Sequence, residues 1–496
     1  MDSQERDGKF LTWLNDADQK IRLGHGALVA QELKRVRIAD IPRTFRAGFA
    51  QVALRLGQYY WGLRALTRIV RPENSIARQP ANAIEKSVYA ALLLRVGASS
   101  EGHAILRTLK DSRLPEVHLY LAQREVFRWH YNAAIPHFRR YVRSAGLTPY
   151  QILIGNLNLA ACYVAERRFR EAGQLLGPLI ADLKSRNLNL LAGNALELIG
   201  QLYLNTKDFA KAESSLREAL ELLGQSNQRY GLYVGKWLTL LGLMKLKDDN
   251  PSALPQARSQ LHGVIEQARA MSDWETVRDC ELHEAYLFED TQLLQKVAFG
   301  TPFPGYHGRI CRLVPEFKQA RSWTLRFSME KATVILDLGA IRDLSRLPLL
   351  LINSLTRDFY KPISAGELHQ RLYPDEYFNP QSSPQKISTL VQVLREWFMA
   401  NDLPLKIVAR NREYRLVGGP GIGIILRRSQ SVVAGMPKRL LPLKDFKTKV
   451  FSVADAAKRL RVTERQARRI LRMPEHQPFI ESRSLRRGQY RLKKAS

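Results

Sequence analysis

Between residues 40 and 290 apolar positions recur every three or four residues, with frequent Ala and Leu and little strict alternation, which predicts helix after helix. Three stretches in this region follow one template: HYNAAIPHFRRYV from His130, RRFREAGQLLGPLI from Arg167 and KDFAKAESSLREAL from Lys207. In each, an aromatic precedes a small residue by three positions: Tyr131 and Ala134, Phe169 and Ala172, Phe209 and Ala212. A bulky apolar side chain follows four further on, at Phe138, Leu176 and Leu216, and another small residue stands twelve before, at Ala122, Ala160 and Gly200. The period is 38 to 40 residues. The same frame recovers weaker copies at Ala50, Gly62 and Leu66, with Tyr59 as the aromatic, and at Ala90, Gly102 and Leu106. A looser copy follows Gly242 and reaches Ala257 and Leu261. Small residues at these places let two helices of a hairpin approach closely, and the larger ones fill the space toward the next hairpin.

The period stops near residue 290. A stretch rich in Gly, Pro and aromatics, from Phe299 to Pro315, reads as a connector. Beyond it the pattern alternates, predicting short strands at 323–329 and 332–338. An apolar helix is expected at 345–359, carrying Leu347, Leu350, Leu351, Leu355 and Phe359. Ser364 is placed to cap a second helix bearing Leu368 and Leu372, with Glu367 in capping-box register. A third helix, 384–400, has the stripe Ile387, Leu390, Val391, Leu394, Trp397 and Phe398. Its other face carries Lys386, Thr389, Gln392 and Arg395. A hairpin of 405–409 and 413–417 then turns at Arg410–Arg412.

The tail repeats this idea compactly. Val453, Ala456, Ala457 and Leu460 mark one helix, Arg461–Thr463 a turn, and Glu464 the start of another helix. Thr463 and Gln466 form a Thr-x-x-Gln capping box. Ala467, Ile470 and Leu471 are the apolar side of that helix, and Arg465, Arg468, Arg469 and Arg472 occupy the remainder. Two strands around Arg486, Arg487 and Gly488 close the chain, ending in Tyr490-Arg491-Leu492; the earlier hairpin ends in Tyr414-Arg415-Leu416.

The 38-to-40-residue frame resembles the tetratricopeptide repeat, a helix-turn-helix unit of about 34 residues, although the proline at the repeat end is mostly missing. Such an array implies an α-solenoid whose concave side binds a peptide or protein. The strands, three helices and closing hairpin of 321–418 resemble the winged-helix effector domain of OmpR/PhoB-type bacterial response regulators. In that family the third helix carries a Leu-Arg pair, here Leu394-Arg395, and the chain closes with Gly-Tyr-Arg-Leu, here Tyr414-Arg415-Leu416 with Glu413 in the glycine's place. No receiver domain precedes it; the repeats occupy that position. The expected organisation is a helical cap at 1–40, a tetratricopeptide-like α-solenoid at 41–298, a connector at 299–320, a winged helix at 321–418, a linker at 419–448 and a second winged helix-turn-helix at 449–496. The expected fold class is mainly α, with two α+β winged-helix domains after the solenoid.

Charge sharpens the functional expectation. The chain of 496 residues carries a formal charge of +30 and is 45% hydrophobic, enough for real cores. Residues 421–496 hold 20 Lys and Arg against 5 Asp and Glu, so half the excess lies in the last 76 residues. A charge of that density attracts polyanions, nucleic acid above all. Cys162, Cys280 and Cys311 lie far apart, which fits a reducing cytoplasm and gives neither a disulfide framework nor a zinc site. The acidic start does not read as a secretory signal, and the longest apolar run, Leu347–Leu355, is too short to span a bilayer. Gly418–Gly423 superficially matches a dinucleotide loop but reads as an interdomain linker. No nucleophile elbow, Walker loop or zinc-protease motif is present, so neither an enzyme nor a cofactor is expected.

The expectation is therefore a bacterial, cytoplasmic transcription regulator whose solenoid senses or recruits a partner and whose two winged helices hold duplex DNA. Thr389, Gln392 and Arg395 would read bases in the major groove, with Lys386 beside them. Arg410, Arg412, Arg486 and Arg487 at the hairpin tips and Arg465, Arg468, Arg469 and Arg472 on the last helix would meet phosphates or the minor groove. The alternative is a repeat-protein adaptor whose basic tail binds RNA or an acidic protein.

Overall fold

The architecture comes from a computed structural model, which describes residues 3–22, 25–71, 79–223, 228–328, 332–427, 443, 446, 450–472, 480–481 and 489–492. The described chain is mainly helical with three small sheets. It divides into two compact units, Met1–Leu426 and Arg427–Ser496.

In the first unit, α1 (Ser3–Arg22) and α2 (Gly26–Arg35) lead into a run of helix pairs. These are α3 (Arg43–Arg55) with α4 (Tyr59–Val70), α5 (Ala83–Arg95) with α6 (Ser99–Thr108), and α7 (Pro115–Phe127) with α8 (Tyr131–Val142). Next come α9 (Pro149–Ala165) with α10 (Phe169–Ser185), α11 (Asn189–Asn205) with α12 (Phe209–Leu223), and α13 (Gln228–Asp249) with α14 (Leu254–Ala270). The template positions are the contact points. Ala122, Ala134, Phe138, Ala160, Ala172, Leu176, Ala212 and Leu216 are all fully buried. A Cβ on Gly102 would lie 2.8 Å from the Ala90 carbonyl oxygen, and one on Gly200 would lie 2.7 Å from Leu216 Cγ, so the small residues set how near the paired helices come. Tyr59, Tyr131, Phe169 and Phe209 each open the second helix of a pair. Two positions earlier the chain is left-handed, at Gly57, Trp129, Arg167 and Lys207.

Three features depart from the sequence expectation. Gly242 is exposed with nothing near its missing Cβ, so the last copy keeps its helix pair and the buried Leu261 but not the small-residue contact. A further pair follows, α15 (Trp274–Leu287) with α16 (Thr291–Phe299), which the template misses because α15 buries charges rather than small residues. Arg278, Asp279, Glu281 and Glu284 are all buried on it. The connector holds α17 (Pro304–Leu313), which begins with a proline at its first turn and packs inward through the buried Tyr306 and Ile310.

The α/β segment then runs β1 (Ser322–Arg326), β2 (Val334–Asp337), α18 (Arg346–Leu355), β3 (Ile363–Ser364), α19 (Ala365–Leu372), α20 (Ser383–Ala400), β4 (Leu405–Arg410), β5 (Glu413–Gly418) and β6 (Ile422–Arg427). Strand β6 corrects the expected linker at 419–448. It lies between β1 and β2 and pairs parallel with β2, from Val334 opposite Ile422 to Asp337 opposite Ile425. Ile422, Ile424 and Leu426 are buried in alternation, which is what a strand with one covered face requires. Apart from Leu443 and Phe446, residues 428–448 lie outside the described residues. A second sheet, in the order β3-β5-β4, closes the segment.

The second unit contains β7 (Val450–Ser452), α21 (Val453–Leu460), α22 (Glu464–Arg472), β8 (Ile480–Glu481) and β9 (Gln489–Leu492), with the sheet in the order β7-β9-β8. Its core joins Leu443, Phe451, Ala456, Ala467, Leu471, Ile480, Tyr490 and Leu492. The expected capping box is present: the Gln466 amide donates to Thr463 Oγ1 at 3.3 Å, and the Thr463 amide donates to Gln466 Oε1 at 3.1 Å.

Burial of histidine gives the first unit a pH dependence. His103 is pushed down to about 4 by burial and then by the neighbouring Arg124. Burial also lowers His118, His137, His283 and His369 from 6.5. Folded chains keep these rings neutral, whereas unfolded chains protonate them below about pH 6.5, so stability falls as pH drops from 6.5 toward 4. The thermal unfolding midpoint is expected to fall between pH 7 and pH 5, and His103→Gln should make that fall smaller. A midpoint independent of pH across this window would show that the rings are not held neutral.

Candidate nucleic-acid interface

The two α/β parts share one local plan. In both, a short strand ends in a serine that caps the next helix: Ser364 Oγ accepts from the Glu367 amide at 3.2 Å, and Ser452 Oγ from the Asp455 amide at 3.1 Å. A second helix follows, then a hairpin whose last strand inserts in the middle of the sheet. The registers correspond, with Ile363 opposite Tyr414 and Phe451 opposite Tyr490. Tyr414 and Tyr490 are each 6% exposed, so the repeated Tyr-Arg-Leu is first a core signature. The chain supports the pairing beyond that tripeptide: Ser364, Glu367, Arg371 and Leu372 stand where Ser452, Asp455, Arg459 and Leu460 stand in the second part.

Matching the apolar positions of the second helices aligns Ile387, Leu390 and Val391 of α20 with Ala467, Ile470 and Leu471 of α22. Gln385, Ser388, Thr389 and Gln392 then stand where Arg465, Arg468, Arg469 and Arg472 stand. The outward face of α20 is close to neutral. Lys386 is paired with Glu376 at 2.6 Å, and Thr389 donates to the Gln385 carbonyl at 3.2 Å. Gln392 donates to Glu396 at 3.0 Å. Val393 and Met399 add exposed apolar surface, at 44% and 68%. Arg395 points elsewhere, donating to the Ile407 carbonyl at 2.6 Å and so tying α20 to the hairpin. The opposite holds for α22, where Arg465 and Arg468 are exposed and make no ion pair with any described residue. Arg469 and Arg472 follow in the same helix, and Arg486 and Arg487 lie outside the described residues.

The first hairpin faces the helix pairs of its own unit. Arg410 is exposed, but the Arg412 guanidinium sits 3.9 Å from the Tyr60 ring centre. Burial pushes the Tyr60 hydroxyl up to about 12, and Arg412 only partly opposes it. At the other strand Arg415 lies over Trp274 at 4.7 Å. These contacts belong to a broader docking of the α/β segment onto both ends of the helical run.

Toward the early helices, Ser364 Oγ donates to the Val96 carbonyl at 2.7 Å, and the Phe378 amide donates to Glu101 at 2.8 Å. Phe378 is buried among Leu63, Leu66 and Tyr89, and Arg71 stacks on Tyr377 at 4.0 Å. Gly366 abuts the Val96 carbonyl so closely that a Cβ would collide with it. Toward the late helices, Arg278 pairs with Asp358 at 2.7 Å, and the Tyr360 hydroxyl donates to Glu281 at 2.6 Å. Phe299, Trp323 and Phe359 stack in succession. One segment thus fastens to α4–α6 and to α15–α16, far apart in sequence.

The sequence reading missed this docking surface. Its one visible sign was the crowding of charges around a helix with no free face, in WETVRDCELHEAYL from Trp274.

No protein-family model matches this sequence, and a comparison with curated proteins finds no match either. Among the described residues no helix is long and apolar enough to cross a membrane, and no cluster of metal-ligating side chains occurs.

Proposed function

We propose that the protein is a DNA-binding transcriptional regulator built from a tetratricopeptide-like solenoid and two winged helices with different tasks. The carrying observation is the contrast between equivalent helices: Arg465, Arg468, Arg469 and Arg472 of α22, the first two of them exposed, stand where α20 has Gln385, Ser388, Thr389 and Gln392. The C-terminal winged helix then holds duplex DNA through phosphate contacts from Arg465, Arg468, Arg469 and Arg472, with Arg486 and Arg487 extending the surface. The first winged helix serves as the docking module of the solenoid, since Arg412 and Arg415 are engaged on Tyr60 and Trp274. In this reading Lys386, Thr389, Gln392 and Arg410 are secondary contacts, and Arg395 positions α20 rather than reading bases. The solenoid supplies the sensing or partner-binding surface.

Full-length protein titrated into labelled duplex DNA, single-stranded DNA and single-stranded RNA of equal length tests the reading. Tightest binding to the duplex is expected, with log K falling steeply against log salt. Preference for RNA, or none for any nucleic acid, would turn the reading to an adaptor whose basic tail meets RNA or an acidic protein.

A further inference from the structure

Within the first unit, the first helices of successive pairs and α17 line a half-open cavity of about 380 Å³. That is the size range of small-molecule sites. Four rings line it: Trp129, Tyr131, Tyr233 and Trp237. Trp129 is itself braced edge-on by Tyr306 of α17, with ring centres 4.6 Å apart.

Four cations (Arg167, Lys236, Arg309 and Arg312) and four carboxylates (Glu197, Asp273, Glu275 and Asp279) line the cavity, but they do not pair off one to one. Asp279 is the shared partner of Lys236, at 2.8 Å, and of Arg309, so two cations meet one carboxylate. Asp273 is taken by Arg229 at 3.2 Å and by the Tyr233 hydroxyl at 2.8 Å. Glu275 lies 3.6 Å from Arg278 and 3.7 Å from Lys361. Burial raises the Glu197 carboxyl, favouring its neutral form, although Trp237 Nε1 and Gln201 Nε2 each donate to it at 2.6 Å. Arg312 has Glu166 at 3.6 Å, and the exposed Arg167, whose guanidinium lies 5.8 Å from the Phe169 ring centre, makes no ion pair with any described residue. Asp273 and Glu275 are thus drawn to cations outside the lining, and Lys236 and Arg309 share one carboxylate, so Arg167, Arg309 and Arg312 are left with room for one more negative group.

A donor is also called for. His283 Nδ1–H donates to the Asp279 carbonyl at 2.8 Å, which leaves Nε2 as a bare acceptor beside Trp237, with ring centres 5.6 Å apart. Burial lowers this histidine, keeping the ring neutral.

We propose that the cavity binds a small aromatic carboxylic acid carrying a ring N–H or O–H. Its carboxylate meets Arg309, Arg312 and Arg167, its ring packs among the four aromatics, and its donor reaches His283 Nε2. Helix α15 carries both Asp279 and His283 at the cavity and Arg278 and Glu281 at the docked α/β segment, so occupancy bears on a helix that contacts both. The inference is independent of DNA binding.

Calorimetric titration of the full-length chain with indole-3-acetate, indole-3-acetamide and tryptamine tests it. One saturable site for the acid is expected, with the amide at least tenfold weaker and the amine not bound. In Arg167→Gln/Arg312→Gln the acid should fall to the level of the amide, whose own affinity stays the same; both side chains sit at the rim, so the fold is retained. A hexapeptide ending in tryptophan separates the sources: binding with the same arginine dependence assigns the site to a chain terminus, and its absence to a free acid. Equal binding of acid, amide and amine, or no binding of any, would overturn the proposal.

Discussion

Replacing Arg465, Arg468, Arg469 and Arg472 together by glutamine is expected to remove measurable binding to duplex DNA at physiological salt. The four positions follow one another at helical spacing on α22, opposite the buried Ala467 and Leu471. If each neutralises one phosphate, the slope of log K against log salt shrinks by about 0.9 per contact, roughly 3 to 4 in all. A change of that size costs several orders of magnitude in affinity at 0.15 M salt, whatever the DNA sequence. Stability should hardly change, because Arg465 and Arg468 are exposed and glutamine keeps helix propensity. The counterpart is Thr389→Ala/Gln392→Ala on α20, for which a much smaller loss is expected. Anisotropy titrations at three salt concentrations check both, with the unfolding midpoint as control. A quadruple variant that is folded and binds as before would remove α22 from the interface, and a larger loss from the α20 pair would reverse the proposed roles of the two α/β parts.

Arg278→Met is expected to be the most destabilising single change at the docking surface. Arg278 is fully buried, with its guanidinium 2.7 Å from Asp358 and flanked by the rings of Tyr306 and Tyr360. Burial works against its charge, but Asp358 and then Glu275 more than offset this, so the guanidinium stays firmly protonated. Removing it leaves Asp358, whose side chain is 11% exposed, without its cation. Breaking one partner of a buried pair costs about 3–5 kcal/mol. The consequence reaches beyond stability, because this pair joins α15 to the segment after α18 and so fastens the α/β segment to the late helices. Chemical denaturation of Arg278→Met, Asp358→Asn and the double variant measures the coupling. The double variant should lose less than the two single losses added, and limited proteolysis should cut Arg278→Met near residues 356–362 before the helical run. Additive losses would mean that the two side chains do not support each other.

Much of the repeat array was legible in the chain, because its contacts are local. The frame of Ala122, Ala134 and Phe138 and its later copies states which residues face each other within one hairpin, and those residues are fully buried. The caps were legible for the same reason: Ser364 with Glu367 and Thr463 with Gln466 each act over three residues. Helix α15 escaped because the template looks for small and apolar residues, and α15 buries ion pairs whose partners lie on α13, α14, α17 and the α/β segment. Strand β6 escaped because the glycines and proline before it dominate the local signal, while its reason to exist is the pairing with β2, some 88 residues earlier.

The periodic helix pairs, the caps at Ser364 and Thr463, the two closing hairpins and the concentration of positive charge after residue 420 can all be read along the chain, because each depends on residues close together in it. Which surfaces remain available depends on packing between elements distant in the chain. Arg395 and Arg412 look in the chain like the arginines of α22, yet one is bonded to the Ile407 carbonyl and the other rests on Tyr60. Whether an arginine meets solvent or the protein's own interior depends on which distant elements pack beside it. Spacing along a helix fixes the direction in which a side chain leaves the axis, and long-range packing decides what it finds there.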